Sequence, residues 1–397
     1  MKGKFMNIID KKIHNILDKY LFQIVVGFCI LASALIRIHF LRNYLSIDAI
    51  YCLEPWMQFY EDNGIIGGLR EGIGNYYIPY NVILAFLSKF PSIRMIILGL
   101  ISCIFDYGIA TVVYLILKQL KGDDYKNKAI LVSLAVLYLP IVLMNGSLWK
   151  QCDSIYSFWI LLALYFYIRD SKRLPFIMLG VAFIWKAQVI YVIPFFLLMY
   201  IVKKNYSILE FLWLPLIYII AGLPAIMAGR SVLDVYSIYL KQTSDITEMS
   251  SGFPNIYKLG NINGMLYLFG IVAILLTMVV FAFSTIVTQK YRYNISEELY
   301  LYMAAWSIQT CCIFLPFVHD RYDYLAIILM FVYAIAFNHR LFASLGTMIV
   351  ISALLYCKFL FGFEEIPMVY YALAYCICYL INTIELFRRV INCEKTI

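Results

Sequence analysis

Four short stretches of this chain set ionisable and hydrogen-bonding side chains at the ends of apolar runs. The first, RNYLSIDAIYCLEPWMQFYEDNG, carries Asp48, Glu54 and Trp56. A carboxylate held at a membrane surface acts as a general base when burial and neighbours bring its pKa towards the working range. Asp48 is the leading candidate for that role and Glu54 the reserve, whereas a solvated loop acid is the plainer reading of either alone. The second stretch, MNGSLWKQCDSIYSFW, sets Asn145, Trp149, Gln151 and Asp153 between two apolar runs with no hydrophilic loop. Such groups are costly to desolvate unless they line a cavity or bond one another across a tight turn.

The third stretch, FIWKAQVIYVIPFF, places Lys186 and Gln188 between apolar segments. A lysine there holds an anionic phosphate as a point charge, or snorkels to the interface. The fourth, LPFVHDRYDY, is the densest ionisable group of the second half, with His319, Asp320, Arg321 and Asp323. Arg321 offers a planar fork for phosphate, and His319 can share that charge or donate a hydrogen bond. A structural His-Asp-Arg network pinning two helices is the competing reading.

Membrane helices must position these groups. Of 397 residues, 63% are apolar and 14% charged, with a mean hydropathy of +0.81, whereas soluble domains carry roughly a quarter charged residues. A crossing needs about 20 apolar residues, and a helix satisfies its own backbone in lipid. Continuous rather than alternating apolarity argues against a barrel. Spans are expected at 21–40, 95–117, 129–144, 154–168, 173–185, 189–202, 207–227, 263–287, 299–316, 323–337, 341–357 and 367–387. The expected fold class is an all-α polytopic membrane protein of about twelve transmembrane helices (11–13), with a helical first external loop and several short spans shielded by neighbours. Residues 77–90 are read as a re-entrant or surface helix. The run 173–202 is split at Ala182 to Gln188, because one continuous helix would be about 45 Å long and would bury Lys186 in mid-membrane.

Lys and Arg set the orientation. With the N-terminal Lys2, Lys4, Lys11, Lys12 and Lys19 inside, the same side collects Lys118, Lys121, Lys126, Lys128, Arg169, Lys172, Arg173, Lys203 and Lys204. Lys290, Arg292, Arg340, Arg388, Arg389 and Lys395 follow. All four polar stretches then open outside. The first apolar run lacks a cleavage pattern and reads as a retained span. Cysteines lie mostly within spans without metal spacing and read as buried spacers, the alternative being an external Cys52 to Cys152 bridge. No repeat of the transporter kind stands out. The net charge of +8 is met by cytoplasmic flanks against anionic lipid, with no reason to invoke nucleic acid.

On these stretches the sequence resembles the GT-C superfamily of polyprenyl-phosphate-sugar-dependent glycosyltransferases. It is most similar to the branch holding the dolichyl-phosphate-glucose glucosyltransferases of N-glycan assembly and bacterial relatives of the GPI-anchor second mannosyltransferase. The motifs are Asp48 followed by Glu54-Pro55-Trp56, Tyr77-Ile78-Pro79-Tyr80, Phe105-Asp106, Asn145 through Asp153, Lys186-Ala187-Gln188 with Pro194, and His319-Asp320-Arg321, in family order across residues 39–324. The resemblance implies that Asp48 deprotonates the acceptor hydroxyl and that Lys186, His319 and Arg321 surround the lipid phosphate. Trp56, Tyr77, Tyr80, Asn145, Trp149, Gln151, Asp153, Gln188 and Asp320 are then expected to line the substrates. No Asp-x-Asp is present, a departure that leaves a divalent cation open; no metal ligands are assigned.

The expected organisation is a single integral membrane domain over 1–397. Within it lie a GT-C-like catalytic module, 1–205, with external loop 41–94, and a variable helical module, 206–397, with external loop 228–262. The expected function is transfer of a hexosyl residue from a polyprenyl-phosphate-linked donor to an extracytoplasmic glycan or glycolipid acceptor, with inversion. A composition rich in Ile, Lys, Tyr and Asn points to a bacterial plasma membrane and undecaprenyl phosphate. The alternatives are a transporter or flippase for lipid-linked sugars, and an O-antigen-type polymerase or ligase using a diphosphate-linked donor.

Overall fold

The computed structural model describes residues 8–244, 248–260, 262, 264–363 and 366–392. Lys2, Lys4 and Lys395 lie outside the described residues, as do parts of the 228–262 loop and the first residue of the span expected at 263.

Each stretch expected to span is largely helical over its described residues, 129–144 being interrupted at 137–139. Among the described residues six helices are long and apolar enough to cross a membrane: Asp10–Asn43, Arg94–Lys121, Ile208–Met227, Leu268–Lys290, His339–Phe361 and Met368–Asn392. The pair Asp123–Val136 and Pro140–Trp149, bent by 55°, is long and apolar enough only when its two helices are taken together, as a broken span or a re-entrant loop. Six others are of 10–17 residues: Ile78–Leu87, Asp153–Ile168, Leu174–Phe183, Ala187–Lys203, Leu299–Phe314 and Tyr324–Phe337. A 14-residue helix is about 21 Å long, short of the ~30 Å hydrocarbon core. Length and apolarity therefore mark six or seven spans. The shorter helices are shielded: Leu299–Phe314 and Tyr324–Phe337 are buried along nearly their whole length.

The run 173–202 is broken where its length required. Leu174–Phe183 ends, Lys186 is extended (φ −157°, ψ 136°), and a 3-10 turn over Ala187–Tyr191 leads into Ile193–Lys203. Loop 41–94 is helical too, with a π-turn at Ala49–Leu53, then Glu54–Glu71 and Ile78–Leu87.

A buried ion pair within the first half is tied to the second half by a tyrosine hydroxyl. Arg37 Nε lies 3.1 Å from Asp106 Oδ2. Arg37 Nη2 donates to the Leu137 carbonyl at 3.0 Å, at the bend between Asp123–Val136 and Pro140–Trp149, and Tyr324 OH donates to Asp106 Oδ1 at 3.3 Å. In lipid such a pair persists because each charge is bonded on several sides. One hydrophobic cluster runs from Ile109 to Val390 and takes in residues on both sides of position 205.

The all-α expectation needs one correction. Ser250–Ser251 pairs in parallel with Val318–His319, and Gly252 bridges His319. These few backbone bonds draw the 248–260 loop onto the His319 turn and help to wall the site. Cys52 and Cys152 are both free, so the external bridge does not form.

Candidate active site

Asp48 stands where the first long helix has ended and the π-turn begins, half-buried. Its Oδ2 accepts from Trp149 Nε1 at 2.8 Å and from Gln151 Nε2 at 2.7 Å. Gln151 is oriented in turn by Tyr76, whose hydroxyl donates to Gln151 Oε1 at 3.0 Å. Tyr76 stacks on Tyr80 at 4.3 Å and meets Trp56 edge-on at 6.0 Å. Two fixed donors on one oxygen leave the carboxylate's other oxygen free to accept a proton.

Asp153 is the second centre, fully buried at the start of Asp153–Ile168. Lys186 Nζ lies 2.5 Å from Oδ1; Asn145 Nδ2 donates to Oδ2 at 2.9 Å, and Arg321 Nε stands 3.5 Å from the same oxygen. Asn145 also donates to Tyr356 OH at 2.9 Å. The Arg321 guanidinium lies over the Trp149 ring at 4.9 Å, and its Nη1 is 3.7 Å from Asp320 Oδ1. This amends the sequence argument that Lys186 and Arg321 need an external anion for solvation. Asp153 already supplies one countercharge, though the Nη groups of Arg321 do not bond to it.

Burial works on this turn in opposite directions. It pushes His319 down to about 3, with the Arg321 and Lys186 charges adding to the effect, so His319 is neutral. It pushes Asp320 up to about 6, against the pull of Arg321. Burial pulls Arg321 down most strongly, but Asp153, Tyr76, Asp320 and Asp48 together outweigh it and raise Arg321 above its ordinary value. His319 is therefore a hydrogen-bonding group here and not a third cation.

Three adjoining cavities share these residues. A wide one of about 670 Å³ is lined by Asp48, His319, Asp320 and Arg321 together with Lys258, Lys358 and Phe359. A small polar chamber of about 100 Å³ is lined by Tyr76, Lys186, Gln188, Gln242, His319 and Arg321. An apolar groove of about 250 Å³ is lined by Gln188, Ile190, Tyr239, Ile274, Pro316 and Phe317. His319 and Arg321 separate the first two, and Gln188 and Gln242 are common to the last two. Ile190 and Ile274, each nearly half exposed, put the groove on the outer surface of the helix bundle.

Two expected site residues lie elsewhere. Glu54 is paired with Arg94, which also bonds Glu61 at 2.8 Å; this cluster fastens the loop helix to the start of Arg94–Lys121. Tyr77 is fully buried, stacks on Tyr218 at 4.0 Å and donates to the Tyr218 carbonyl at 2.7 Å, pinning Ile78–Leu87 to the 208–227 helix. Both are occupied by protein and neither lines the three cavities; of the residues expected to line the substrates only Gln188 and Asp320 do so, while Trp56, Tyr80, Asn145, Trp149, Gln151 and Asp153 stand behind the walls and hold the lining residues in place. The structure adds Lys258, Lys358, Gln242 and Lys150; of these, Lys258 carried a signal, as a basic residue of an external loop.

Among the described residues no three His, Cys, Asp or Glu side chains gather as a metal set. Compared with models of known protein families the chain matches none, and no curated protein sequence matches it.

Proposed function

We propose that this membrane protein is a GT-C-type hexosyltransferase that uses a polyprenyl-phosphate-linked donor, undecaprenyl phosphate in a bacterial plasma membrane. The observation that carries the reading is the row of three cavities. An apolar groove at the outer surface of the bundle leads to a chamber with Lys186 and Arg321, and that chamber adjoins a wide cavity holding Asp48. A lipid-linked sugar fits this sequence of environments: chain in the groove, phosphate in the chamber, sugar facing the wide cavity, where a glycan or glycolipid acceptor arrives.

The charges suit a monophosphate. Lys186 and Arg321 share Asp153, which leaves this cluster one positive charge when Asp320 is protonated, with the Asp48 carboxylate facing it across the wide cavity. A polyprenyl-phosphate-sugar is a phosphodiester with one negative charge. Its arrival raises Asp320 further by like-charge repulsion and favours that protonated form. Asp48 then takes the acceptor proton as the acceptor oxygen attacks the anomeric carbon, and the bond to phosphate breaks with its electron pair. Arg321 and Lys186 stabilise the charge on the departing phosphate, and in-line displacement inverts the anomeric centre.

On this reading the cavities open outside, as the basic loops require, and the shorter helices complete about twelve crossings through a locally shielded bundle. A divalent cation stays open for the leaving phosphate.

A second reading has one observation in its favour. Lys258 and Lys358 line the wide cavity with Arg321, and added cations would serve a diphosphate-linked donor of the O-antigen-polymerase kind. The test is transfer by purified protein in lipid, with polyprenyl-monophosphate and polyprenyl-diphosphate sugars compared. Turnover of the monophosphate donor alone supports the first reading, and turnover of the diphosphate alone replaces it. Movement of either donor across the bilayer without sugar transfer would mean a flippase.

A further inference from the structure

Lys150 is fully buried, and its partners among the described residues are backbone carbonyls. Its Nζ donates to the Ser147 carbonyl at 2.5 Å and lies 3.5 Å from the carbonyls of Phe40 and Leu41. Phe40 and Leu41 are in the last turn of Ile8–Asn43, at the negative end of the helix dipole, and the Phe40 carbonyl also accepts from the Tyr44 amide at 3.2 Å. A buried ammonium is tolerated there because those carbonyls partly replace its water.

The backbone of Lys150 is left-handed, φ 66° and ψ 27°, a conformation that is unfavourable for a non-glycine residue. The consequence is local. Trp149 and Gln151, on either side of the bend, both reach Asp48 Oδ2, while Lys150 reaches back to the helix that leads into Asp48. Space for it is made by Gly99, where a Cβ would stand 2.9 Å from Lys150 Cδ and 2.5 Å from Leu41 Cδ2. Ser46 adds a parallel tie, its hydroxyl donating to the Trp149 carbonyl at 2.8 Å.

We propose that Lys150 is a positioning residue: it locks the 145–151 turn to the end of the first helix so that Trp149 and Gln151 hold Asp48 in one orientation. Its meaning for catalysis rests on the reading of Asp48 as the proton acceptor; its effect on the Trp149–Asp48 contact does not.

The test needs no substrate. The chain has six tryptophans, so full-length protein labelled with ¹⁵N-tryptophan in lipid nanodiscs gives a small set of indole N–H signals, with Trp149 assigned through Trp149→Phe. Asp48→Asn marks where the Trp149 signal goes when its carboxylate partner is removed. Lys150→Met, which keeps the apolar stem, is expected to shift the Trp149 signal away from its wild-type position, as Asp48→Asn does, and to leave the other five in place. A folded Lys150→Met with the Trp149 signal unmoved overturns the proposal. Should that variant fail to fold, Lys150→Gln decides: a smaller shift of the Trp149 signal supports the lock, and no shift overturns it. Once a donor is known, the lock also requires Lys150→Met to lower kcat more than it raises KM. A moved signal in a protein without transferase activity would keep the lock and remove the functional reading.

Discussion

Trp149 and Asp48 are 101 residues apart in the chain, yet the indole Nε1 of one donates to the carboxylate Oδ2 of the other at 2.8 Å. The same indole carries the Arg321 guanidinium on its face. One buried ring thus touches both the group assigned to remove a proton and the group assigned to hold the phosphate. Their separation is set by a rigid aromatic plane and not by flexible loops.

Asp48→Asn is expected to lower sugar transfer by about 10²–10⁴-fold while leaving donor affinity close to wild type, because the amide keeps the shape but takes no proton. Glu54→Gln should keep near-normal turnover, since Glu54 is engaged with Arg94. Its half-exposed ion pair is worth less than about 1 kcal/mol after screening. Transfer kinetics and donor binding for both variants check this; the opposite ranking would move the base to Glu54.

Arg321→Lys is expected to weaken donor binding by about 1.5–3 kcal/mol, since the fork and the stack on Trp149 are lost while charge is kept. Donor titration against the wild-type protein measures it. Unchanged affinity would leave Arg321 a structural partner of Asp153.

Lys186→Ala removes one of two cations from a buried carboxylate and should destabilise the fold by about 3–5 kcal/mol. Adding Asp153→Asn should recover much of the thermal stability without restoring donor affinity. A melting temperature unaffected by Lys186→Ala would contradict the pairing.

The pH dependence has two opposed parts. Asp320, raised to about 6 in the fold, contributes stability that is full below its unfolded value and is lost as pH rises through about 6. His319, lowered to about 3, contributes stability that is present above its unfolded value and is lost as pH falls towards about 3. Each amounts to roughly 3–5 kcal/mol, so they largely offset one another between pH 6 and 4. Asp320→Asn should therefore make the melting temperature fall more steeply on acidification over that window, and His319→Gln should make it fall less or rise. Parallel curves for both variants and wild type would refute the assignment.

Orientation is open to direct labelling. With Cys52 replaced, a cysteine at Ser251 should react with an impermeant reagent from outside, and a cysteine at Asp124 should react only after the membrane is opened. Labelling at position 124 in sealed cells would invert the topology.

Much of this protein was legible in the chain itself. Apolar runs locate the apolar helices, because in lipid the backbone has no alternative to bonding within its own segment, whereas the short helices Val232–Tyr236 and Ile238–Ser244 lie in what the sequence presents as a loop. The break at Lys186 followed from helix length and the cost of a charge in mid-membrane. The gathering of polar groups from residues 48, 145–153, 186–188 and 319–321 followed from their shared side. What composition did not reveal was which of these groups answer one another. Asp153 looks like a substrate contact in the sequence and proves to be the counter-ion of Lys186 and Arg321. Tyr77 and Tyr80, three residues apart, part company, one bonded to Tyr218 and the other stacked on Tyr76. Lys150, unremarkable as a letter between Trp149 and Gln151, is buried by a left-handed turn. Hydrophobic patterning acts along the chain and determines where helices lie. Ion pairs and hydrogen bonds act over a few ångströms between segments up to hundreds of residues apart, so their partners are decided only when the helices pack.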